Sequence, residues 1–128
     1  MSYCHCRMCR KATGGPFSVM ANFPRDSVTW SGEPRTRRSS PFATRGFCEH
    51  CGTPLCFQYD DSDHVSISVG AFDEPGHLRP IQHGGIESKL HWVSIDSELP
   101  TERCDDDPDY RRLVEETHWS PPFDSKPS

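Results

Sequence analysis

The cysteines of this chain fall mainly into two short clusters. Cys4, Cys6 and Cys9 have C-x-C-x-x-C spacing, and Cys48 and Cys51 follow far downstream as a C-x-x-C pair. We call the first group the N-terminal cluster and the second the C-x-x-C pair. A tight turn brings two sulfurs at C-x-x-C spacing onto one metal ion, and reduced thiols are available as thiolate ligands. The spacing therefore favours metal binding over disulfides, with zinc as the first candidate.

The composition fits a small domain that is supported by a metal. The chain has 128 residues, of which only 33% are hydrophobic, with 12 prolines and 9 glycines. Such a chain is expected to form one loop-rich domain with a modest core. We predict a single zinc-binding β domain over residues 1–118 and a weakly packed C-terminal tail over residues 119–128. Seven cysteines, an odd number, also argue against a closed disulfide framework.

Charge and hydropathy exclude two classes of partner. The formal net charge is −5 and no lysine- or arginine-rich tract is present, so nucleic acid is not expected as a partner. No apolar run approaches the ~20 residues of a membrane span, and the start lacks the apolar core of a signal peptide. We therefore expect no membrane partner and a cytoplasmic location. The sequence indicates no particular oligomeric state.

Alternating apolar and polar residues predict a mainly β fold. The alternation covers residues 17–23, and it recurs over 55–59 and 65–71, which we expect to form a hairpin around an aspartate-rich turn. Further strands are predicted at 28–30, at 36–40 along an edge, and at 90–95 as the last strand.

Two helical segments are predicted. The glycines at 14 and 15 end one helical turn that begins at Arg10, because glycine tolerates the left-handed conformation that closes a helix. Near the end of the chain, Asp107 is typical of an N-cap and Pro108 of a first helical position. They predict a short C-terminal helix that runs to about His118.

Four segments in this order carry a resemblance to a known family. They read CHCRMCRKATG at 4–14, RGFCEHCGTPL at 45–55, PIQH at 80–83 and KLHW at 89–92. Together they resemble the glutathione-dependent formaldehyde-activating enzymes, a family that includes centromere-protein-V-like proteins, from about Tyr3 to Pro100. The resemblance implies coiled antiparallel sheets around a zinc-cysteine centre. It also implies a carbon-sulfur lyase that combines glutathione and formaldehyde into S-hydroxymethylglutathione.

The resemblance also assigns the cysteines. The N-terminal cluster matches the family's three-cysteine catalytic zinc site, and the C-x-x-C pair matches half of a four-thiolate structural site. The other half, a C-x-C-G strand, would lie upstream of Met1. Among basic residues near these motifs, Arg10 and Arg45 are candidates for holding a carboxylate of a peptide-like thiol. His83 matches a family position and is a third candidate for substrate contact.

Ligand counting leaves three arrangements open. In the first, the N-terminal cluster holds zinc with an open fourth position, while the C-x-x-C pair stays empty or borrows ligands such as His50, Cys56 or Cys104. In the second, two sulfurs from each group form one closed structural site. In the third, an upstream strand completes the family pattern.

Two functions remain open at this point. The first is a zinc-dependent carbon-sulfur lyase that uses glutathione, or a similar thiol, and a small aldehyde such as formaldehyde. The alternative is a non-catalytic, zinc-stabilised binding or scaffold module in which all the metal is structural.

Overall fold

The fold is mainly β, as predicted, and carries the predicted short C-terminal helix. A computed structural model describes residues 1–121, and the elements within that range are seven strands, two α-helices and five 3-10 helices. The strands are β1 (Ser2–Cys4), β2 (Ser18–Pro24), β3 (Arg35–Ser40), β4 (Ala43–Phe47), β5 (Pro54–Tyr59), β6 (His64–Ser68) and β7 (His83–Gly84). The α-helices are α1 (Arg7–Thr13) and α2 (Pro108–Thr117). The 3-10 helices are Arg25–Ser27, Val69–Ala71, Pro75–His77, Ile86–Ser88 and Cys104–Asp106.

The chain divides into two compact units. One unit comprises Met1–Val19 together with the chain from Arg79 onward, and the other comprises Met20–Leu78. The single-domain boundary at residue 118 stays a prediction, and the predicted tail lies from residue 122 outside the described residues. No helix within residues 1–121 is long and apolar enough to cross a membrane.

The unit Met20–Leu78 is an antiparallel sheet with the strand order β3-β4-β5-β6-β2. The predicted hairpin is confirmed, since β5 pairs with β6 in the register Cys56↔Ile67. Its second strand is shorter than predicted, because it ends at Ser68 and residues 69–71 form a 3-10 helix. Apolar side chains from these strands and their turns form the core, namely Ala21, Phe42, Ala43, Val65 and Ile67. In β6, Val65 and Ile67 are buried while His64 is exposed and Ser66 half-buried, whereas all six residues of β5 are half-buried, so the alternation of residue types corresponds to alternating burial only in β6.

The other unit contains a short parallel pair that the sequence did not predict. β1 runs parallel to β7 with Tyr3 opposite His83 and Cys4 opposite Gly84. A further parallel bridge joins His83 to Thr101. Two or three residues per strand give too short a pattern for periodicity to reveal. This pair matters because it places the N-terminal cysteines beside the segment that follows residue 83.

The predicted end of α1 and the predicted beginning of α2 are confirmed, but α1 begins at Arg7 with Cys6 as its N-cap, three residues before the predicted Arg10. Gly14 closes α1 in the left-handed conformation, with φ +75°, a geometry that glycine adopts without steric cost. Asp107 caps α2, because its carboxylate accepts hydrogen bonds from the backbone N–H groups of Asp109 (3.0 Å) and Tyr110 (3.4 Å). The helix ends at Thr117, and His118 is its left-handed C-cap.

Two predicted strands are absent. Residues 28–30 have no regular structure, because the chain first turns through the 3-10 helix Arg25–Ser27, where the Ser27 hydroxyl donates to the Pro24 carbonyl at 2.7 Å. Residues 90–95 are turns and irregular chain. There the ammonium of Lys89 donates to the backbone carbonyls of Leu90 (3.2 Å) and Val93 (2.7 Å). In a sheet, these carbonyls would accept hydrogen bonds from a neighbouring strand.

Candidate metal centre

The three sulfurs of the N-terminal cluster lie together. Cys4 ends β1, Cys6 is the N-cap of α1 and Cys9 lies within that helix. Their Sγ atoms are all within 4.8 Å of one another, and within residues 1–121 this is the one group of three or more Cys, His, Asp or Glu side chains arranged to hold a metal ion. A strand-turn-helix passage thus brings together residues that are adjacent in sequence.

The geometry of this group fits a zinc ion. Tetrahedral zinc with Zn–S bonds of 2.3 Å holds its sulfur ligands about 3.8 Å apart, which small side-chain rotations reach from the observed spacing. The backbone N–H of Cys9 also donates to the Cys6 sulfur at 3.3 Å, a contact that stabilises negative charge on that sulfur. Cys9 is buried and the other two are half-buried, so the group is partly exposed.

The backbone under the cluster is fixed by β7 and the residue after it. The N–H groups of Tyr3 and His5 donate to the carbonyls of Gln82 (3.0 Å) and Gly84 (2.9 Å). Gly85 has φ +61°, and a Cβ there would lie 2.8 Å from the Cys6 nitrogen. Only glycine permits both this backbone conformation and this approach. The turn that carries Cys6 therefore rests directly on Gly85.

A fourth sulfur contacts this group. Cys104, which begins the 3-10 helix Cys104–Asp106, makes a side-chain hydrogen bond with Cys6. The sequence analysis considered Cys104 only as a ligand for the C-x-x-C pair, because nothing in its spacing relates it to residues 4–9. The bridge between His83 and Thr101 would have revealed the contact, but that pairing is not readable from the sequence.

The thiols of this group differ in acidity. Hydrogen bonds from Cys104, then from Cys4 and Cys9, hold the pKa of Cys6 far below its usual range. The same contacts act in the opposite direction on two of the neighbours. The hydrogen bond to Cys6 is the largest cause that raises the pKa of Cys4, and likewise that of Cys104. Among Cys4, Cys6 and Cys104, Cys6 is therefore the first thiol to ionise, and the other two act as its donors.

A buried histidine pair lies next to the cluster. The Nε2 atom of His5 is 2.8 Å from Nδ1 of His83, and Nε2 of His83 is 2.9 Å from the carbonyl oxygen of Asp96. Because that carbonyl only accepts, His83 carries its proton on Nε2 and accepts on Nδ1, so His5 donates from Nε2. His5 Nδ1 then holds a lone pair with no hydrogen-bond partner among the described residues.

The surroundings of this pair fix its two rings and keep His5 neutral. The ring of Tyr3 stacks on His83 at 4.8 Å between centroids, and its hydroxyl donates to the Asp96 carboxylate at 2.7 Å. Burial, followed by the nearby His83 and Lys89, lowers the pKa of His5 to about 4. Burial, followed by the hydrogen bond to Asp96, raises the pKa of Tyr3 to about 12. Asp96 itself has φ +44°, which is uncommon for a residue other than glycine.

The C-x-x-C pair forms a tight turn in the other unit. Gly52 N–H donates to the Cys48 carbonyl at 2.7 Å, and Cys48 N–H donates to the Thr53 carbonyl at 2.9 Å. Cys51 is exposed, with its sulfur 3.0 Å from the Thr53 hydroxyl. The hydrogen bond to Thr53 is the largest cause that lowers the pKa of Cys51. The three arrangements predicted for the two groups stay predictions, as does metal binding by this pair.

The residues predicted to contact substrate occupy different surroundings. Arg10 is half-buried in the last turn of α1. Arg45 is buried on β4, with its guanidinium 4.8 Å from the centroid of Phe57 and its Nε donating to the Ser39 hydroxyl at 3.0 Å. His83 is buried in the histidine pair. Substrate contact by each of the three stays a prediction.

These features define a class of protein: a small, mainly β chain with a group of three cysteines that can hold a metal ion. Residues 1–87 match the family model for the glutathione-dependent formaldehyde-activating enzymes, and the chain belongs to that family. It is also 39% identical over 59 residues to an uncharacterized lyase of Schizosaccharomyces pombe. That match covers 46% of this chain and 43% of the yeast protein. Family membership supports a lyase-like role.

Proposed function

We propose that Cys4, Cys6 and Cys9 hold a zinc ion and that the protein is a carbon-sulfur lyase acting on glutathione and formaldehyde. The observation that carries the proposal is the group of three sulfurs within 4.8 Å of one another. Three protein ligands are typical of catalytic zinc sites, whereas structural sites use four. Family membership supplies the substrate class, since its members are described as glutathione-dependent and formaldehyde-activating. The N-terminal cluster is then the site of the reaction.

The proposed reaction adds an S–H group across a carbonyl. The sulfur of glutathione attacks the formaldehyde carbon, a C–S bond forms, and the C=O π electrons move to the oxygen, which takes up a proton. The product is S-hydroxymethylglutathione, and the reverse direction breaks the same C–S bond. A zinc ion, when bound, would lower the pKa of a thiol placed beside it. No other cofactor is needed for this balance.

The chain's own residues would support this reaction by position and charge. The backbone hydrogen bond from Cys9 to the Cys6 sulfur favours an ionised site before substrate arrives. The basic residues of α1, Arg10 and Lys11 in its last turn, lie on the helix that carries Cys9. Guanidinium and ammonium groups bind carboxylates, and glutathione carries carboxylates at both ends. We therefore assign Arg10 to glutathione binding.

Metal stoichiometry gives the first test. We expect native mass spectrometry of the purified protein to show zinc, and the double variant Cys6→Ser/Cys9→Ser, which keeps only one sulfur of the N-terminal cluster, to lose it. Cys104 is left unchanged in this experiment. The matched control is Cys51→Ser, an exposed cysteine in the other unit, which should keep the zinc of the N-terminal cluster. Full zinc retention by Cys6→Ser/Cys9→Ser would contradict the proposed site.

Turnover gives the second test, because glutathione and formaldehyde also combine without an enzyme. Exchange between glutathione and S-hydroxymethylglutathione is measured by NMR at equilibrium, with and without protein. We expect the zinc-loaded protein to raise the exchange rate above the uncatalysed rate and Cys9→Ser to abolish the increase. A zinc-loaded protein that leaves the rate unchanged would instead support the non-catalytic, zinc-stabilised module.

A further inference from the structure

Cys104 lies outside the three-sulfur group but against one of its members. Its side chain makes a hydrogen bond with that of Cys6, whereas the group whose sulfurs are all mutually within 4.8 Å contains only Cys4, Cys6 and Cys9. Cys104 thus stands next to the cluster without being part of it. Cys104 is half-buried, and its sulfur has one hydrogen-bonded sulfur partner, Cys6.

The backbone before Cys104 is hydrogen-bonded to the segment from His83 to Ile86, which lies beside the N-terminal cluster. Glu102 N–H donates to the His83 carbonyl at 2.8 Å, and Ile86 N–H donates to the Glu102 carbonyl at 3.1 Å. His83 is in turn paired with Tyr3 on β1. The segment that ends at Cys104 is therefore built onto the same strand pair that positions Cys4, and its approach to the cluster is a feature of the fold.

The residue itself is held by a carboxylate. Both oxygens of Glu87 accept from the backbone N–H of Cys104, at 3.0 and 2.9 Å. Glu87 belongs to the 3-10 helix Ile86–Ser88, directly after Gly85, the residue on which Cys6 rests. The backbone of Cys104 is thus fixed relative to Cys6, while its side chain keeps the freedom of one χ1 rotation.

We infer that Cys104 is a fourth sulfur ligand of the N-terminal cluster, which closes the metal site when no substrate thiol is present and leaves it when a thiol binds. The inference rests on the proposed metal site. Four sulfurs around zinc make a closed tetrahedral centre, and three make an open one. In the exchange, the bond from the metal to Cys104 breaks and a bond to the incoming sulfur forms, while the proton of the incoming thiol passes to Cys104, which leaves as a thiol. The number of ligands and the charge at the centre therefore stay the same.

This arrangement has a chemical consequence. In the resting protein all four coordination positions of the zinc would be occupied by protein sulfurs, so water and small anions would be excluded from the metal. An external thiol that enters the site must displace Cys104, which selects for thiols over weaker ligands. The affinity for the substrate thiol is lowered by the same competition.

Cobalt substitution tests the inference without reference to activity. Cobalt(II) bound by thiolates shows a sulfur-to-metal charge-transfer band whose intensity rises with the number of sulfurs. With one equivalent of cobalt and no glutathione, we expect Cys104→Ser to bind the metal but to lose about one quarter of that band, as one of four sulfurs is removed. The control is Cys56→Ser, a half-buried cysteine in the other unit, which should keep the full band.

A second measurement protects the test against a variant that folds poorly. The zinc-loaded wild-type protein is treated with iodoacetamide, and labelling of Cys104 is followed by peptide mass spectrometry. We expect Cys104 to be protected in the resting protein and labelled at least several-fold faster once glutathione is added. S-methylglutathione, which has no thiol, should leave the protection in place.

The outcomes separate the two claims. A cobalt-loaded Cys104→Ser with the wild-type band, or a Cys104 that labels equally with and without glutathione, would overturn the role of Cys104 and leave the proposed three-cysteine site intact. Failure of the wild-type protein to bind cobalt or zinc would overturn the proposed site and the inference with it.

Discussion

The Nε2 atom of His5 lies 2.8 Å from Nδ1 of His83, and both rings are buried. His5 lies between Cys4 and Cys6 of the N-terminal cluster, and His83 lies on the strand paired with β1. The hydrogen bond between the two histidines therefore holds the turn of the N-terminal cluster against β7. The chain of hydrogen bonds continues from His83 to the Asp96 carbonyl at 2.9 Å. Each ring nitrogen used in this chain has a defined role as donor or acceptor.

Removal of the His83 ring should destabilise the protein. His83→Ala leaves the His5 N–H and the Asp96 carbonyl without their partner in a buried environment, which costs about 1–3 kcal/mol for such a group. We expect the free energy of unfolding, measured in urea, to fall by at least that amount. The control is His91→Ala at an exposed position, for which a surface substitution should cost less than about 0.5 kcal/mol. Equal losses in the two variants would contradict the histidine pair.

The low pKa of His5 predicts a specific dependence of stability on pH. Burial is the largest cause that lowers this pKa from 6.5 to about 4. Between these values the unfolded chain binds more protons at this residue than the folded chain, so the free energy of unfolding falls as pH decreases. The stability contributed by neutral His5 is complete above pH 6.5 and is lost as pH falls towards 4.

The control for this pH effect is His5→Gln. The glutamine amide keeps a donor towards His83 but does not titrate. Protonation of the cysteines and loss of metal affect both proteins, so the difference in unfolding free energy between them isolates His5. We expect wild type to lose stability relative to the variant from pH 6.5 to pH 4. A difference that stays constant over this interval would contradict a buried, neutral His5.

The sequence predicted the parts of the site that are local. The spacing of Cys4, Cys6 and Cys9 was sufficient, because three residues within a strand-turn-helix passage are brought together by the local backbone. The hairpin of β5 and β6 and the capping of α2 by Asp107 were likewise readable, since alternation and capping depend on neighbours in the sequence.

The contacts that complete the site come from distant parts of the chain. The bridge from His83 to Thr101 and the contact between Cys104 and Cys6 depend on a parallel pairing of two or three residues. Such a pairing leaves no periodic pattern. The prediction of a strand at 90–95 was wrong, because the Lys89 side chain hydrogen-bonds to nearby backbone carbonyls instead. Strand propensity carries no information about such a side-chain contact.

Gly85 should be indispensable for the cluster. Gly85→Ala would strain a backbone with φ +61° and would place a Cβ 2.8 Å from the Cys6 nitrogen. We expect the variant to lose stability and to bind cobalt or zinc more weakly than wild type, because Cys6 must move. Metal affinity by competition with a chelator and urea unfolding are the measurements.

Alanine variants of two other glycines serve as controls that separate the effect of backbone strain from that of steric contact with Cys6. Gly32→Ala strains a φ of +85° in open space, a cost of about 1–2 kcal/mol, and Gly76→Ala has neither a positive φ nor a close neighbour. Both should keep wild-type metal affinity. Gly85→Ala that resembles Gly32→Ala in stability and binds metal normally would show that the turn of Cys6 does not depend on the approach of Gly85.

Variants of Arg45 distinguish a structural role of this residue from contact with glutathione. Its guanidinium is buried, lies over the Phe57 ring and donates to Ser39. Arg45→Met keeps much of the volume but removes the charge and the donors. Because a hydrogen bond from a charged group contributes about 1.5–3 kcal/mol, we expect a loss of that order in the free energy of unfolding. Arg37→Met, at the exposed position opposite on β3, is the control and should cost little.

The KM for glutathione, measured on the same variants, shows whether buried Arg45 supports the strand or binds substrate. A residue that only supports β4 should leave the KM for glutathione unchanged in the fraction of Arg45→Met that is folded. A residue that contacts a carboxylate of glutathione should raise KM, and Arg45→Lys should restore part of the binding because the positive charge is kept. With the guanidinium already engaged by Phe57 and Ser39, we expect the first result. A raised KM with unchanged stability would instead assign Arg45 to the substrate, as its position beside the C-x-x-C pair predicts.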